Sequence, residues 1–96
     1  MKADYDSKAN ALSIDLVDMP RWDYSDKVSS GANVAIAGDR PVNVELLYPD
    51  LGLEEPLRAV AERYELDAEA LIATAQAAIA APDRVVTVDV AARSAA

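Results

Sequence analysis

The sequence contains no cysteine and no histidine. Without cysteine the chain forms no disulfide and offers no thiolate nucleophile, and without both residue types it lacks the usual zinc ligands. The lack of histidine also removes the commonest general base at neutral pH and the base of the usual catalytic triad. These absences exclude most familiar enzyme classes, and we expect a protein without catalysis and without a cofactor.

Large core-forming side chains are scarce as well. There is no phenylalanine, and the aromatic residues are one tryptophan and four tyrosines. Hydrophobic residues make up 52% of the chain, which is typical of a folded protein, but 20 of the 96 residues are alanine. A chain of this length forms one small core, so we predict a single domain over residues 1–90.

Basic residues are few relative to acidic ones. Nine lysines and arginines stand against 17 acidic residues, which gives a net charge of -8, and both halves of the chain are acidic. Because nucleic acids and anionic membranes are bound mainly through lysine and arginine, we expect neither as a partner. A basic protein is the partner that this charge favours.

Long hydrophobic runs are also missing. The longest uncharged run, residues 70–82, is shorter than the ~20 apolar residues that span a bilayer. No apolar run follows Lys2, so we expect no signal peptide. The sequence therefore predicts a cytoplasmic protein without a membrane segment.

Alternation of apolar and polar residues predicts strands in the first half of the chain. It is clearest at residues 11–16, where Leu12, Ile14 and Leu16 share one face. Further strand-like runs occupy residues 2–5, 22–28, 33–37 and 42–47. Because turn-forming residues separate these runs, we predict an antiparallel β-meander of four to five strands within residues 1–47.

Helical spacing replaces this alternation in the second half. From Leu53 onward the apolar residues recur every three or four positions, which is typical of an amphipathic helix. Asp67 is suited to cap a second helix, and Pro82 ends it. We predict a helical hairpin over residues 53–81 that packs on one face of the meander.

The end of the chain resembles a strand followed by a tail. Residues 84–90 are rich in β-branched side chains and predict a last strand that closes the sheet beside the first hairpin. Residues 91–96 are expected to be disordered. The predicted fold class is therefore α+β.

One segment resembles a known family. Residues 5–16 read Tyr-Asp-Ser-Lys-Ala-Asn-Ala-Leu-Ser-Ile-Asp-Leu, and a Gly-led apolar strand, a polar turn and Val-Asn-Val-Glu-Leu-Leu at 42–47 follow. This succession, from Ala3 to Leu47, resembles the small bacterial domains catalogued as domain of unknown function 2283 (DUF2283). Those domains contain Tyr-Asp, polar residues, Asp-Ala-Leu-Tyr-Ile and a short meander. The resemblance implies a bacterial protein with such a meander. The family has no established activity or cofactor, so the resemblance supports the fold more than a function.

Two carboxylates on the predicted sheet are candidates for metal binding or acid/base chemistry. Asp15 and Ser13 share a face with Asn43 and Glu45 if their strands lie close together. A metal-assisted hydrolase built on Asp15 and Glu45 is one hypothesis, and it needs a third ligand that we do not find in the sequence. The alternative is an ordinary solvated sheet face.

The aromatic pair before the second hairpin has two interpretations. Trp22 and Tyr24 alternate with polar residues, which places both on one side of the predicted strand. Such residues either line a ligand groove or anchor the core. Because the core is short of large side chains, we favour packing anchors.

The second predicted helix has a surface without charge. Opposite its apolar face it places alanines, whereas the first helix places glutamate and arginine outward. Small side chains allow close approach of another helix, so we predict an interface formed by Ala70, Ala73, Ala77 and Ala81. The simpler explanation is the high helix propensity of alanine.

These observations favour a non-catalytic acidic protein-interaction module, which self-associates as a homodimer or binds a basic protein. An antitoxin-like protein that covers a small basic partner is a variant of this hypothesis. The metal-assisted hydrolase is an alternative from a different class. Binding of a small ligand between sheet and helices is another, and it requires a pocket there.

Overall fold

The computed structural model describes residues 1–89, which form one antiparallel sheet and two α-helices. The strands are β1 (Lys2–Asp6), β2 (Ala11–Asp15), β3 (Tyr24–Ser29), β4 (Ala32–Ala37), β5 (Arg40–Leu47) and β6 (Val85–Thr87). A 3-10 helix at Pro49–Leu51 leads into α1 (Glu54–Tyr64) and α2 (Ala68–Ala80). The predicted α+β class is confirmed.

The strand order in the sheet is β3-β4-β5-β2-β1-β6. The sheet thus has six strands rather than four to five, because five strands form within the first 47 residues and β6 adds another. The order is not sequential: β1 and β2 form a hairpin, β3 to β5 form a meander, and β5 returns to pair with β2. The connection at residues 16–23 therefore runs from β2 to the far edge of the sheet.

Capping residues set the boundaries of the helical hairpin. Asp67 accepts a hydrogen bond from the backbone N of Ala70 at 3.1 Å, which begins α2 as predicted. Glu65 ends α1 in the left-handed conformation, with φ of 56°. The resulting turn brings Arg58 Nη2 of α1 to 2.8 Å from Glu69 Oε1 of α2.

Both helices pack against the same face of the sheet, as predicted. α1 lies over β3 and β4, and α2 lies over β1, β2 and β6. The core between sheet and helices is small and aliphatic. Its largest members are Leu12, Ile14, Val34, Ile36, Val44, Leu46, Leu57, Val60, Leu71 and Ile72. The opposite face of the sheet is left without a covering helix in the part of the chain that the structure describes.

The last strand lies beside the first hairpin, as predicted, but it is shorter. β6 pairs with β1 through only three residues of the predicted 84–90. The turn before β6 is held by Ser7, whose backbone N and hydroxyl donate to the Asp83 carboxylate at 2.9 Å and 2.6 Å. Val90 and the predicted tail at 91–96 lie outside the described residues.

Candidate functional site

The uncovered face of the sheet, called here the open face, carries the polar residues of the central strands. Because side chains alternate along each strand, burial of Leu12 and Ile14 against the helices turns their neighbours outward. β2 and β5 are adjacent, and their register pairs Ser13 with Glu45 and Asp15 with Asn43. The prediction that these four residues share one face is confirmed.

Asn43 is the most constrained polar residue of the open face. The residue is only 8% exposed, and its Nδ2 donates to Asp15 Oδ1 at 2.8 Å and to Ser13 Oγ at 2.9 Å. An ionised carboxylate only accepts hydrogen bonds, so the amide nitrogen, and not the oxygen, must point toward Asp15. The carbonyl Oδ1 is therefore turned away from β2.

A groove of about 380 Å³ lies on the open face, above β2, β5 and β4. Its lining residues are Ser13, Asp15, Pro20, Trp22, Ser25, Asn33, Ala35, Asn43 and Glu45. Ala35 contributes only a methyl group to the groove, which leaves space above β4. The connection between β2 and β3 provides one wall with Pro20 and Trp22, and the indole is 52% exposed.

Asp23 fixes the end of the connection that carries Trp22. Its backbone N donates to Ile36 O at 2.8 Å, and its carboxylate accepts from Gly38 N at 2.8 Å. Trp22 directly precedes this anchored residue, so its backbone is held against β4. The wall of the groove is thus attached to the sheet by main-chain hydrogen bonds.

Trp22 and Tyr24, which were predicted to share one side of a strand, lie on opposite faces of the sheet. Tyr24 lies opposite Ile36 in the β3–β4 register, on the face that the helices cover. Trp22 precedes β3 and lines the groove on the open face. The expectation that both lie on one side is therefore wrong, because strand alternation does not extend into the connection. Trp22 is also exposed rather than a packing anchor.

The charged residues that line the groove are Asp15 and Glu45. Asp4 lies beside them on β1, opposite Ser13, and its pKa is raised by burial and by the nearby charges of Asp15 and Asp6. The contributions of Asp15 and Asp6, which are smaller than that of burial, reflect the negative charges close to Asp4 at this part of the open face. The groove is therefore suited to a cationic ligand.

Two lysines flank the open face outside the groove. Lys2 lies opposite Asp15 on β1, and Lys27 lies opposite Asn33 on β3. Neither lines the groove, and the salt bridges within residues 1–89 involve arginines only. Both side chains are exposed, so their charges are screened by solvent.

The hydrolase hypothesis requires a third metal ligand near Asp15 and Glu45. Within residues 1–89 no group of three or more acidic, histidine or cysteine side chains could hold a metal ion. The two carboxylates are diagonal neighbours across β2 and β5, a relation that separates Cα atoms by about 7–8 Å. This arrangement suits a ligand with several spread donors better than a compact ion.

The four alanines of the predicted interface are not equally placed. Ala73, Ala77 and Ala81 are half-buried in the isolated chain, whereas Ala70 is only 2% exposed. Helix α2 contacts both the sheet and α1, so its buried side is wide. The buried residues of α2 are Ala70, Leu71, Ile72, Thr74, Ala75 and Ala78. Three of the four alanines thus remain accessible to a partner helix.

A second cavity, of about 350 Å³, lies where the sheet meets the start of α1. It is lined mainly by the β3–β4 turn, the end of β5 and residues 48–52, including Tyr48 and the exposed Leu51. Glu55 is its one charged lining residue. A pocket of the kind that ligand binding requires is therefore present, but it offers few groups that would select a ligand.

Comparisons of the chain with protein-family models, with curated proteins and with solved structures give no match. The resemblance to domain of unknown function 2283 remains a prediction from the sequence. No helix within residues 1–89 is long and apolar enough to cross a membrane. The geometry of the open face and the charge of the chain are the features that bear on function.

Proposed function

We propose that this protein is a non-catalytic acidic interaction module that binds a basic protein partner through the open face of its sheet. The observation that carries the proposal is the groove beside Trp22, whose charged lining residues are both acidic. Within residues 1–89 the helices cover one side of the sheet, and the other side is available to a partner. An antitoxin-like protein would be one such module.

Electrostatics supports a basic partner. The net charge of -8 attracts cationic surfaces over a distance and raises the rate of encounter with them. The groove then gives that attraction a specific location, because Asp15 and Glu45 are held on neighbouring strands and Asn43 is already oriented. Binding is expected to weaken as salt rises.

The test is a titration of the isotopically labelled protein with a synthetic octalysine peptide at low ionic strength. We expect NMR shift changes to concentrate on the amides of β2, β4 and β5, with a parallel change in the fluorescence of Trp22, the single tryptophan. An octaglutamate peptide serves as the control for charge. Shift changes that concentrate on α2, or an absence of any change, would contradict the proposal.

A pair of double variants separates the groove from overall charge. Asp15→Asn with Glu45→Gln removes the two groove carboxylates, whereas Glu55→Gln with Glu62→Gln removes two exposed charges of α1. We expect the groove variant to lose most of its affinity for octalysine and the α1 variant to keep it. Equal losses would show that the peptide responds to net charge alone.

Self-association through α2 is the second candidate, and it is compatible with the first. Ala73, Ala77 and Ala81 form a half-buried strip of small side chains on the helix side of the molecule, away from the groove. A second copy of α2 would approach this strip closely. A homodimer formed in this way would leave both open faces available.

A further inference from the structure

We infer that the groove beside Trp22 is a receptor for one arginine side chain of the partner. This inference rests on the proposed function, since it names the group that the open face recognises. The groove volume of about 380 Å³ lies at the lower end of the range of small-ligand sites, about 300–1,000 Å³. A single long side chain fits such a space.

The charged groups of the groove, Asp15 and Glu45, are hydrogen-bond acceptors only. Glu45 makes no hydrogen bond or ion pair with residues 1–89, and Asp15 uses Oδ1 to accept from Asn43. Both carboxylates therefore retain oxygen atoms for a ligand. An anion would be repelled by them, and a neutral ligand would leave their charges without a partner.

Asn43 adds a fixed acceptor beside these carboxylates, on the side away from β2. The residue is more than nine-tenths buried, and its two hydrogen bonds to β2 both use Nδ2. Its carbonyl Oδ1 has no hydrogen-bond partner among residues 1–89. Every fully buried side-chain oxygen in that range has a partner, so Oδ1 is not fully buried, and Asn43 is one of the residues that line the groove. A ligand with several N–H groups would satisfy it.

Trp22 selects among cations. A planar guanidinium stacks on an aromatic ring, and it is more weakly hydrated than an ammonium group. Its five N–H donors spread over a fork, so they can reach two carboxylates that are diagonal neighbours. A lysine ammonium is compact and strongly hydrated, so it would engage one carboxylate and gain less from the indole.

Because the backbone beside Trp22 is anchored, few groups of the site must become ordered when a ligand binds. Hydrogen bonds from Asp23 N to Ile36 O and from Gly38 N to the Asp23 carboxylate hold the adjacent backbone. Asn43 is oriented before the ligand arrives. A site that is already arranged loses less conformational entropy when it binds.

The experiment uses two blocked amino acids, N-acetyl-arginine amide and N-acetyl-lysine amide, and follows the fluorescence of Trp22. We expect saturable binding of the arginine compound in the millimolar range, about fivefold or more tighter than the lysine compound. Glu45→Gln should weaken arginine binding about tenfold. Glu62→Gln, an equal change of charge on the exposed side of α1, should leave it unchanged.

A second pair of measurements tests the stacking. Trp22→Leu should abolish the preference for arginine over lysine, as measured by NMR shift changes of the β4 and β5 amides. Circular dichroism shows whether the variant is folded, and Trp22→Tyr, which retains an aromatic ring, should restore part of the preference. Equal binding of the two compounds by the parent protein, or a preference that survives in Trp22→Leu, would overturn the inference.

The outcomes distinguish this inference from the proposed function. Groove-dependent binding of octalysine without any preference for arginine would support the interaction module and overturn the arginine receptor. Binding of blocked arginine without groove-dependent binding of octalysine would support the receptor and contradict the basic partner. Absence of both would overturn both.

Discussion

Asn43 Nδ2 lies 2.8 Å from Asp15 Oδ1, and this hydrogen bond joins β5 to β2 across the centre of the open face. The two residues are 28 positions apart in the sequence and directly opposite each other in the sheet. The bond orients a nearly buried amide at the floor of the groove. The bond therefore links the two strands and also orients Asn43 before a ligand binds.

Asn43→Asp should replace this attraction with repulsion between two carboxylates. We expect the free energy of unfolding at pH 7 to fall by about 1–3 kcal/mol, because the donor is lost and a like charge faces Asp15. Repulsion raises the carboxyl pKa values in the folded state, so the loss should shrink as the pH is lowered through them. Urea denaturation at pH 7 and pH 5 measures this, with Gln76→Glu as the exposed control; an equal loss at both pH values would contradict it.

Asp4→Asn should raise the free energy of unfolding at pH 7. Burial and the charges of Asp15 and Asp6 raise the folded-state pKa of Asp4 above 3.8, so ionised Asp4 destabilises the fold. In the parent this cost grows as the pH rises from 3.8 through the raised pKa and is absent well below 3.8. The difference between variant and parent should therefore disappear in acid.

Asp6→Asn provides the contrast for that measurement. Asp6 Oδ1 accepts hydrogen bonds from the backbone N of Lys8 at 3.0 Å and of Ala9 at 3.1 Å, in the β1–β2 turn. Loss of its charge weakens these bonds, so this variant should be less stable than the parent at pH 7. If both variants shift stability in the same direction, the explanation for Asp4 is wrong.

Tyr64→Phe should loosen the contact between α1 and the edge strand β3. The Tyr64 hydroxyl donates to the Asp26 carboxylate, which also lies 3.1 Å from Arg63 Nε. Loss of a hydrogen bond to a charged acceptor should cost about 1–3 kcal/mol. Thermal or urea denaturation measures the loss, with Tyr48→Phe, at an exposed tyrosine, as the control.

The same contact predicts a pH effect in alkali. Burial, and then the bond to Asp26, raise the pKa of Tyr64 above 10, so the folded state retains the phenolic proton longer than the unfolded state. This contribution to stability is complete below pH 10 and is lost as the pH rises through the raised pKa. Absorbance titration should show one late-ionising tyrosine that Tyr64→Phe removes; unchanged curves would contradict the assignment.

Ala73→Glu with Ala77→Glu should convert a homodimer into a folded monomer if α2 forms the interface. The introduced charges would be buried without partners at the seam, whereas on a free helix surface they would be nearly neutral. Light scattering gives the mass, and circular dichroism shows that the fold persists. Ser30→Glu with Ala9→Glu adds the same charge in two exposed turns and should leave the mass unchanged.

A monomeric parent at micromolar concentrations would remove the self-association proposal. A dimer that survives the double variant would place the contact elsewhere. The edge strands β3 and β6 are the next candidates, because each leaves one side of its backbone unpaired in residues 1–89.

The sequence by itself determined the α+β class, the two helices and the buried face of the central strands. Alternation around Leu12 and Ile14 indicated both a strand and its buried side, because the period of two is a local property of extended backbone. The carboxylate of Asp67 indicated the start of α2 for an equally local reason, since it accepts from the third residue after it. The same alternation predicted that four polar residues share the opposite face: Ser13, Asp15, Asn43 and Glu45.

Only the tertiary structure decided which strands lie side by side. Val44 and Leu46 of β5 are almost completely buried, and a strand buried in this way takes a central position with hydrogen-bonded neighbours on both sides. That position places Asn43 beside Asp15 and sends the preceding connection, with Trp22, across the open face. The burial of Ala70 has a similar origin, since α2 packs against α1 as well as the sheet. Such pairings depend on how distant segments share one small core, and no local pattern of residues records them.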